Sequence, residues 1–237
     1  MAQRSAGRMR MIGLIGGMSW ESSAEYYRLA NELVRDRLGG FHSARCLLYS
    51  LDFAEIERLQ QQASWDEAAT ALADAAGSLE RAGAELLVLF TNTMHKVADA
   101  VERATPLPLL HIADATAAAV GRGGVDRVGL LGTRFTMEQA FLRERLEQAG
   151  LEVLLPDAAD RELVHRVIYD ELVVGTIREA SRQRYREVIA RLVDRGAQGV
   201  ILGCTEIELL IGEHDVPVPV FPTTRLHIQA AVDAALT

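Results

Sequence analysis

Two stretches decide the fold: GAELLVLFTNT at Gly83–Thr93 and GAQGVILGCTE at Gly196–Glu206. Each contains an apolar run between a glycine and a polar end, which is typical of a strand buried on both faces of a parallel sheet. Thr91 and Cys204 occupy the same position in the two stretches, eight residues after the first glycine. The two stretches therefore predict equivalent buried strands, each with a chemically active side chain at its end.

The similarity extends outward from these strands. MIGLIGG at Met11–Gly17 matches VGLLGT at Val128–Thr133, and the distances from these motifs to the two quoted stretches are nearly equal. We interpret the chain as two related halves. The predicted domains are residues 1–114 plus 223–237, and residues 115–222.

Apolar strands alternate with amphipathic helical segments along the whole chain, a pattern that predicts parallel sheets with helices on both sides. Ser19 is the expected cap of a helix over Glu21–Leu38, and capping boxes start at Ser64 and Thr136. Residues 1–10 are expected to be a frayed tail. The predicted strands are Met11–Ile15, Arg45–Ser50, Glu85–Phe90, Leu107–Ile112, Arg127–Leu131, Glu152–Leu155, Gly199–Leu202 and Val218–Phe221. The fold class is thus α/β, with two pseudosymmetric domains, each a parallel-sheet α/β/α sandwich.

Composition and charge exclude several classes of protein. The 237 residues are 49% hydrophobic and 24% charged, which is ordinary for a soluble globular protein. The net charge of −8 argues against a nucleic-acid partner. No apolar run approaches the roughly 18 residues of a membrane span, and the N-terminal segment does not fit a signal peptide. We expect a cytoplasmic protein with no membrane or nucleic-acid partner.

The residues that commonly hold cofactors are scarce or badly spaced. The two cysteines, Cys46 and Cys204, are too few for a disulfide framework or a zinc site. Lys96 is the single lysine, so pyridoxal-phosphate chemistry would depend on it. Gly16–Ser19 lacks the spacing of a nucleotide loop. The histidines at 95, 111 and 165 have no metal-ligand spacing and are interpreted as structural, so neither metal nor cofactor is predicted.

Thr91 and Cys204 each follow a buried strand and precede a helix. Ligands of open parallel sheets bind at the carboxyl ends of the strands. A helix N-terminus favours anions and is expected to lower the pKa of the Cys204 thiol. If the two halves face each other across a cleft, their symmetry places Thr91 and Cys204 on opposite sides of one ligand. This arrangement suits removal of a proton from one face of a carbon and delivery of a proton to the other face. Cys46 is interpreted as a small buried apolar residue.

Four motifs, IGLIGGMSWES, FTNTMH, LLGT and GCTEI, resemble the aspartate/glutamate racemase family, the cofactor-independent amino-acid racemases. The resemblance implies two pseudosymmetric α/β domains, an active site in the cleft between them, and a homodimer. It implies proton-transfer roles for Thr91 and Cys204. The substrate contacts that it implies are Met18, Asn92, Thr93 and Thr205, together with Gln60 and Thr133.

The chain departs from the family pattern at position 91, where typical members have a second cysteine. A threonine hydroxyl donates or relays a proton but is a poor base, because its alkoxide is scarcely populated near neutral pH. The resemblance implies that the second-half cysteine removes the α-proton of the L-enantiomer. We therefore expect Cys204 to take this proton and Thr91 to reprotonate the opposite face. Arg45 and Arg134 are the candidates for holding a distal carboxylate of the substrate. The substrate itself stays open, from aspartate and glutamate to neutral amino acids.

Two alternatives to a racemase stay open at this point. Related pseudosymmetric folds carry out decarboxylation of malonates or isomerisation of maleate through cysteines in the cleft, and fold kinship does not decide function. The loss of one thiol at position 91 also fits a non-catalytic protein that binds small acids.

Overall fold

The computed structural model describes residues 8–237, which form eight strands and their flanking helices. The strands are β1 (Ile12–Gly16), β2 (Cys46–Ser50), β3 (Leu86–Leu89), β4 (Leu109–Leu110), β5 (Arg127–Gly132), β6 (Glu152–Leu154), β7 (Gly199–Gly203) and β8 (Val220–Pro222). The helices are α1 (Trp20–Leu38), α2 (Phe53–Gln61), α3 (Trp65–Arg81), α4 (Ala98–Ala104), α5 (Ile112–Arg122), α6 (Arg134–Glu138), α7 (Ala140–Gln148), α8 (Ala158–Val167), α9 (Glu179–Asp194), α10 (Thr205–Leu210) and α11 (Thr223–Leu236). A 3-10 turn covers Thr93–Val97, and a π-helical turn covers Ile168–Leu172.

The strands form two four-stranded sheets with the same internal order, β2-β1-β3-β4 and β6-β5-β7-β8. Every pairing in both sheets is parallel. The two stretches that decide the fold supply β3 and β7, which occupy equivalent inner positions. The predicted α/β class and the repeated parallel sheets are confirmed.

The contacts divide the chain into two compact units. The first contains the described residues up to Phe90, Lys96–His111 and His227–Thr237, and the second contains Thr91–His95 and Ile112–Leu226. These limits differ from the domain boundaries predicted from the sequence, most notably at residues 91–95. Side chains of that short segment form hydrogen bonds with residues at the strand ends of the second unit. No local sequence pattern predicts those contacts.

The first unit packs α1 and α11 on one face of its sheet. Ile12, Leu14, Leu86 and Val88 of the inner strands are fully or almost fully buried there, together with side chains from both helices. The ring of Tyr26 stacks on Phe90, with 3.8 Å between the ring centroids. The apolar strands predicted from the sequence therefore pack against the apolar face of α1, as their patterns require.

The second unit has a core on each face of its sheet, because successive residues of a strand point in opposite directions. Leu131 and Leu202 pack among α8, α9 and α10. Leu130 and Ile201 pack on the other face, among α5 and α7. Both inner strands of this sheet are therefore covered on both sides, and the carboxyl edge is where side chains such as Cys204 stand.

Several local expectations need correction. Residues 1–7 of the expected tail lie outside the described residues, but Met9 is buried and the Arg10 N–H donates to the Ala235 carbonyl at 2.9 Å, so the chain is packed from there on. Ser19 caps α1 as predicted, accepting from the Ser22 N–H. Ser64 makes no side-chain cap.

The capping box at Thr136 is wrong. Thr133 is the residue that caps α6, and its hydroxyl accepts from the Thr136 N–H.

Helices α2 and α5 were not predicted. Within residues 8–237, no helix is both long enough and apolar enough to cross a membrane.

Candidate active site

The carboxyl edge of the second unit's sheet gathers thiol and hydroxyl side chains. Thr133 follows β5, Cys204 follows β7, and Thr223 follows β8. Because parallel strands end at the same edge of a sheet, these three residues share one edge, where ligands of open parallel sheets bind. The sequence placed the site at such an edge.

Two glycines let the inner strands approach closely at this edge. A Cβ added at Gly203 would lie 2.8 Å from the Leu131 carbonyl oxygen, and one added at Gly132 would lie 2.9 Å from the Thr136 Cγ2. Real Cβ atoms do not come this close to backbone oxygen atoms. The glycine before Cys204 therefore allows the close approach of β5 and β7 at the point where the thiol is presented.

Cys204 is partly exposed, and its thiol donates to Glu206 Oε2 with an Sγ–O distance of 2.9 Å. Burial raises the pKa of the thiol well above its usual value. The carboxylates of Glu206 and, more weakly, Glu208 raise this pKa further, while a backbone hydrogen bond from Glu206 lowers it. The expected lowering by a helix N-terminus is thus overturned, because burial of the thiol and the two carboxylates in the first turn of the six-residue helix α10 raise its pKa. At rest the group is a thiol rather than a thiolate.

Asn92 is anchored to the strand that carries Cys204. Its Nδ2 donates to Thr223 Oγ1 at 3.0 Å, and that hydroxyl donates to the Leu202 carbonyl at 2.9 Å. Since the Thr223 proton is used on Leu202, its oxygen must accept from Asn92, which fixes the orientation of the amide. Asn92 Oδ1 is then buried and has no hydrogen-bond partner among the described residues. A buried carbonyl oxygen in this state is an open acceptor for a ligand N–H group.

Three hydroxyl groups form a triangle beside this amide. Thr93 lies 3.1 Å from Thr133 and 3.4 Å from Thr136, and Thr133 lies 3.1 Å from Thr136, each distance joining two Oγ1 atoms. Each hydroxyl carries one proton and can accept two hydrogen bonds. The triangle therefore offers both donors and acceptors to a polar ligand group.

A second pair of hydroxyls lies at the start of α10. Thr205 Oγ1 is 2.8 Å from Thr224 Oγ1, and both side chains are buried. Thr205 directly follows Cys204, so this pair belongs to the same edge of the sheet.

Thr91 is partly exposed and begins the segment that carries Asn92 and Thr93. His95 holds its backbone: Nδ1 lies 2.6 Å from the Thr91 carbonyl, and Nε2 accepts from the Ile112 N–H at 3.2 Å. A carbonyl can only accept, so the proton of the ring is on Nδ1. The structural interpretation of His95 is confirmed, since both ring nitrogens serve the backbone.

The remaining predicted site residues belong to other segments of the chain. Met18 and Gln60 belong to the first unit, where both are buried. Arg45 precedes β2, at the amino end of that strand, and donates to the Met9 carbonyl at 2.8 Å, which argues against a role at a carboxyl edge. Arg134 follows Thr133, but its guanidinium lies 3.7 Å from the Glu162 carboxylate and is half exposed.

Sequence reasoning missed four polar residues of this edge: Thr136, Glu206, Thr223 and Thr224. The two adjacent threonines lie two and three residues after the predicted last strand, which was the available signal. Within residues 8–237, no group of three or more His, Cys, Asp or Glu side chains is placed to hold a metal ion. The chemistry of this edge is therefore that of one thiol, one carboxylate, one amide and several hydroxyls.

Comparisons with known proteins consistently match racemases and their homologues. The family model described as Asp/Glu/Hydantoin racemase matches residues 15–231. A crystal structure of a proposed Asp/Glu racemase from Yersinia pestis is 57% identical, covers 97% of this chain and 100% of that chain, and has a TM-score of 0.91. An aspartate racemase homologue from Pyrococcus horikoshii OT3 is 36% identical, with coverages of 96% and 99% and a TM-score of 0.85.

More distant relatives extend the picture. The broad specificity amino-acid racemase RacX of Bacillus subtilis (strain 168) is 20% identical over 236 residues, which cover 95% of this chain and 98% of that protein. A variant of arylmalonate decarboxylase reaches a TM-score of 0.57 at 16% identity, with coverages of 95% and 93%. At that identity the decarboxylase shows a shared fold alone.

Proposed function

The chain belongs to the Asp/Glu/hydantoin racemase family and is an amino-acid racemase, and we propose that it inverts Cα of aspartate, glutamate or a broader set of amino acids without a cofactor. Cys204 exchanges the α-proton on the L-face and Thr91 serves the opposite face. The observation that carries this proposal is the anchoring of Asn92, with its open carbonyl oxygen, through Thr223 to Leu202 of β7, the strand that Cys204 directly follows.

The polar groups around Cys204 match the charges of an amino acid. Asn92 Oδ1 is a hydrogen-bond acceptor, so it suits the α-ammonium group of the substrate. The Thr93–Thr133 and Thr205–Thr224 hydroxyls are donors for the α-carboxylate. When the α-proton leaves, negative charge grows on this carboxylate, and donors that are already in place stabilise it.

Met18 and Gln60 are further substrate contacts in the proposal, on the strength of the family resemblance. Neither Arg45 nor Arg134 is placed as an obvious partner for a distal carboxylate, because one serves the Met9 carbonyl and the other pairs with Glu162. This observation supports a substrate range that includes neutral side chains, as the name of the RacX relative also suggests.

Thr91 makes the two directions of the reaction chemically unequal. A thiol ionises far more readily than a hydroxyl, so a thiolate at Cys204 is a more accessible base than an alkoxide at Thr91. The family resemblance assigns the α-proton of the L-enantiomer to Cys204. The equilibrium constant between enantiomers is one, so the ratio kcat/KM must be equal for the two. The difference between the two enantiomers therefore appears in the individual values of kcat and KM, not in their ratio.

A homodimer in the cytoplasm completes the proposal. Support for the dimer comes from the first unit, where edge strand β2 and the loop before it expose large apolar side chains. Phe41, Leu48 and Tyr49 are the exposed residues of this stretch. Light scattering on the purified protein is expected to give twice the mass of the chain.

The test follows the α-proton. The protein is incubated in D₂O with L-aspartate, L-glutamate, L-homoserine and other neutral L-amino acids, and proton spectra and chiral analysis report exchange and inversion. A racemase introduces deuterium at Cα and forms the D-enantiomer. Cys204→Ala is expected to abolish both, whereas the matched Cys46→Ala removes the other thiol and leaves them intact.

The alternatives give different results in the same assay. A binding protein would be stabilised by one of these amino acids without any exchange. A decarboxylase would ignore them and release carbon dioxide from a malonate. Either result, or full exchange in Cys204→Ala, contradicts the proposed function.

A further inference from the structure

A groove of about 610 Å³ lies beside β6, an edge strand of the second unit's sheet. Its walls come from β6 and from helices α7, α8 and α9, and all of its lining residues belong to the second unit. The volume is within the range of small-molecule sites in proteins, roughly 300–1,000 Å³. None of the lining residues belongs to the candidate active site, so the groove is a separate feature of this unit.

The charged lining of the groove is mainly cationic. Four guanidinium groups and two carboxylates contribute to it, an excess of two positive charges in a chain whose net charge is −8. Positive charge that is concentrated in a concave site attracts anions, even to an acidic protein. The charged residues are Arg143, Arg161, Arg191 and Arg195, with Asp157 and Asp160.

Two of the four arginines are neutralised by carboxylates. Arg191 donates from Nε and Nη2 to the two carboxylate oxygens of Asp160, at 2.7 and 2.6 Å. Arg161 donates from Nε to Glu138 Oε1 at 2.9 Å. The other two arginines therefore supply most of the positive charge that a ligand in the groove would meet.

Arg143 and Arg195 keep hydrogen-bond donors that the protein does not use. Arg143 Nε is buried and has no hydrogen-bond partner among residues 8–237, because the Glu147 carboxylate lies 3.6 Å away, beyond hydrogen-bonding distance. Arg195 has no ion pair in the part of the chain that the structure describes. Buried donors are almost always satisfied in folded proteins, so the Arg143 donor is one that a ligand would fill.

Backbone contacts hold two of the guanidinium groups in position. Arg195 Nη1 donates to the Leu155 carbonyl at 2.7 Å, and Arg161 Nη1 donates to the Pro156 carbonyl at 2.8 Å. A side chain that is already fixed loses less conformational entropy when a ligand binds. The groove also has an apolar wall from β6 and α9, formed by Val153, Leu154, Val188 and Leu192.

We propose that this groove is a second ligand site of the protein and that it binds a small organic phosphate. The phosphate oxygens accept from the guanidinium groups of Arg143 and Arg195, and the organic part packs on the apolar wall. A phosphate monoester carries a charge of about −1.5 to −2 near neutral pH, which matches two guanidinium groups better than a single carboxylate does. The inference goes beyond the proposed function and does not depend on it.

Isothermal titration calorimetry of the whole protein with phenyl phosphate tests the proposal without any amino acid present. Phenyl phosphate combines the phosphate group with an apolar ring, and benzoate offers the same ring with one carboxylate. The wild type is expected to bind phenyl phosphate with a millimolar or lower Kd at low salt. Benzoate is expected to bind at least about tenfold more weakly, because it makes fewer charged hydrogen bonds.

Substitutions of the two arginines locate the bound phosphate. Arg143→Gln and Arg195→Gln are each expected to raise the Kd of phenyl phosphate at least about tenfold. Arg195→Lys keeps the charge but loses the paired donors, so its Kd should lie between those of the wild type and Arg195→Gln. Arg122→Gln is the matched control at an exposed arginine of α5 in the same unit, and it should leave the Kd unchanged. Thermal unfolding without ligand checks that every variant is folded.

A variant of the candidate active site separates the two sites. Asn92→Ala is expected to keep the wild-type Kd for phenyl phosphate, whereas a loss of binding in Asn92→Ala would place the ligand at the active site and overturn the proposal. The absence of saturable binding to the wild type also overturns it, as does an unchanged Kd in both Arg143→Gln and Arg195→Gln. None of these measurements follows proton exchange, so they decide on the groove whether or not the protein inverts amino acids.

Discussion

His227 provides a quantitative test of the packing of the first unit. It is fully buried in α11, where Nε2 lies 2.7 Å from the Leu110 carbonyl and Nδ1 lies 3.1 Å from the Tyr26 hydroxyl. The carbonyl can only accept, so Nε2 carries the proton and Nδ1 accepts from Tyr26. The neutral ring satisfies both neighbours, and a second proton would place a charge in the core.

The pKa of His227 gives the size of the effect. Burial lowers it from 6.5 to about 4, although the hydrogen bond to Leu110 opposes the shift. Below about pH 6.5 the unfolded chain takes up a proton that the folded chain refuses, so the free energy of unfolding falls as the pH drops and stops falling below the folded pKa. At about 1.4 kcal/mol per pKa unit, the loss between pH 7 and pH 4.5 is about 2 to 3 kcal/mol.

The assay is urea unfolding of the wild type and of His227→Gln at pH 7 and pH 4.5. The glutamine variant is expected to be less stable at pH 7, but its stability should fall by about 2 to 3 kcal/mol less between the two pH values. His42→Gln, at an exposed histidine, controls for the exchange of histidine for glutamine itself. Equal pH dependence in the wild type and His227→Gln would refute the reasoning.

Three further predictions concern the site and its scaffold. Gly203→Ala places a Cβ against the Leu131 carbonyl and should destabilise the protein by about 1–3 kcal/mol. Gly121 lies at an exposed helix position, and a Cβ added there has no atom within 4 Å. Gly121→Ala should therefore stabilise the protein by about 0.5–1 kcal/mol. Thermal unfolding checks both, and a shift in the same direction contradicts the close-approach argument. Initial-rate kinetics on separate enantiomers should give different kcat values and different KM values with one common kcat/KM, and identical kcat values would contradict the assigned roles of Thr91 and Cys204. Thr91→Cys restores a second thiol and should raise kcat for the D-enantiomer more than for the L-enantiomer in the same assay, so an unchanged ratio of the two kcat values contradicts a base role at this position.

The sequence predicted those parts of the fold that depend on local pattern. Strands β3 and β7 follow from apolar runs that begin after a glycine and end at polar residues, and the repeat of the two halves predicts equal sheet orders. The two capping errors share one cause: a Ser or Thr followed by Glu or Gln satisfies the pattern, but tertiary contacts select the cap. Thr133 caps α6 because it stands where β5 ends, three residues before the predicted cap.

The site could be located but not fully assembled from the sequence. Cys204 and the Asn92–Thr93 pair were proposed as site residues because they stand at the ends of recognisable strands. The bond from Asn92 to Thr223 joins residues 131 positions apart, and no local pattern encodes it. The direction of the Cys204 pKa shift was wrong because the sequence shows a helix N-terminus but not the burial of the thiol or the position of Glu206.

The single measurement that tests the central claim most directly is α-proton exchange by Thr91→Ala in D₂O, with each enantiomer supplied separately. Without a proton donor on the second face, Cys204 should still remove and return the α-proton on its own face. The L-amino acid is then expected to gain deuterium at Cα with no D-enantiomer formed, while the D-amino acid keeps its proton. Two results would contradict the account. One is deuterium entering the D-amino acid with retained configuration. The other is an L-amino acid that gains no deuterium, as is expected with Cys204→Ala.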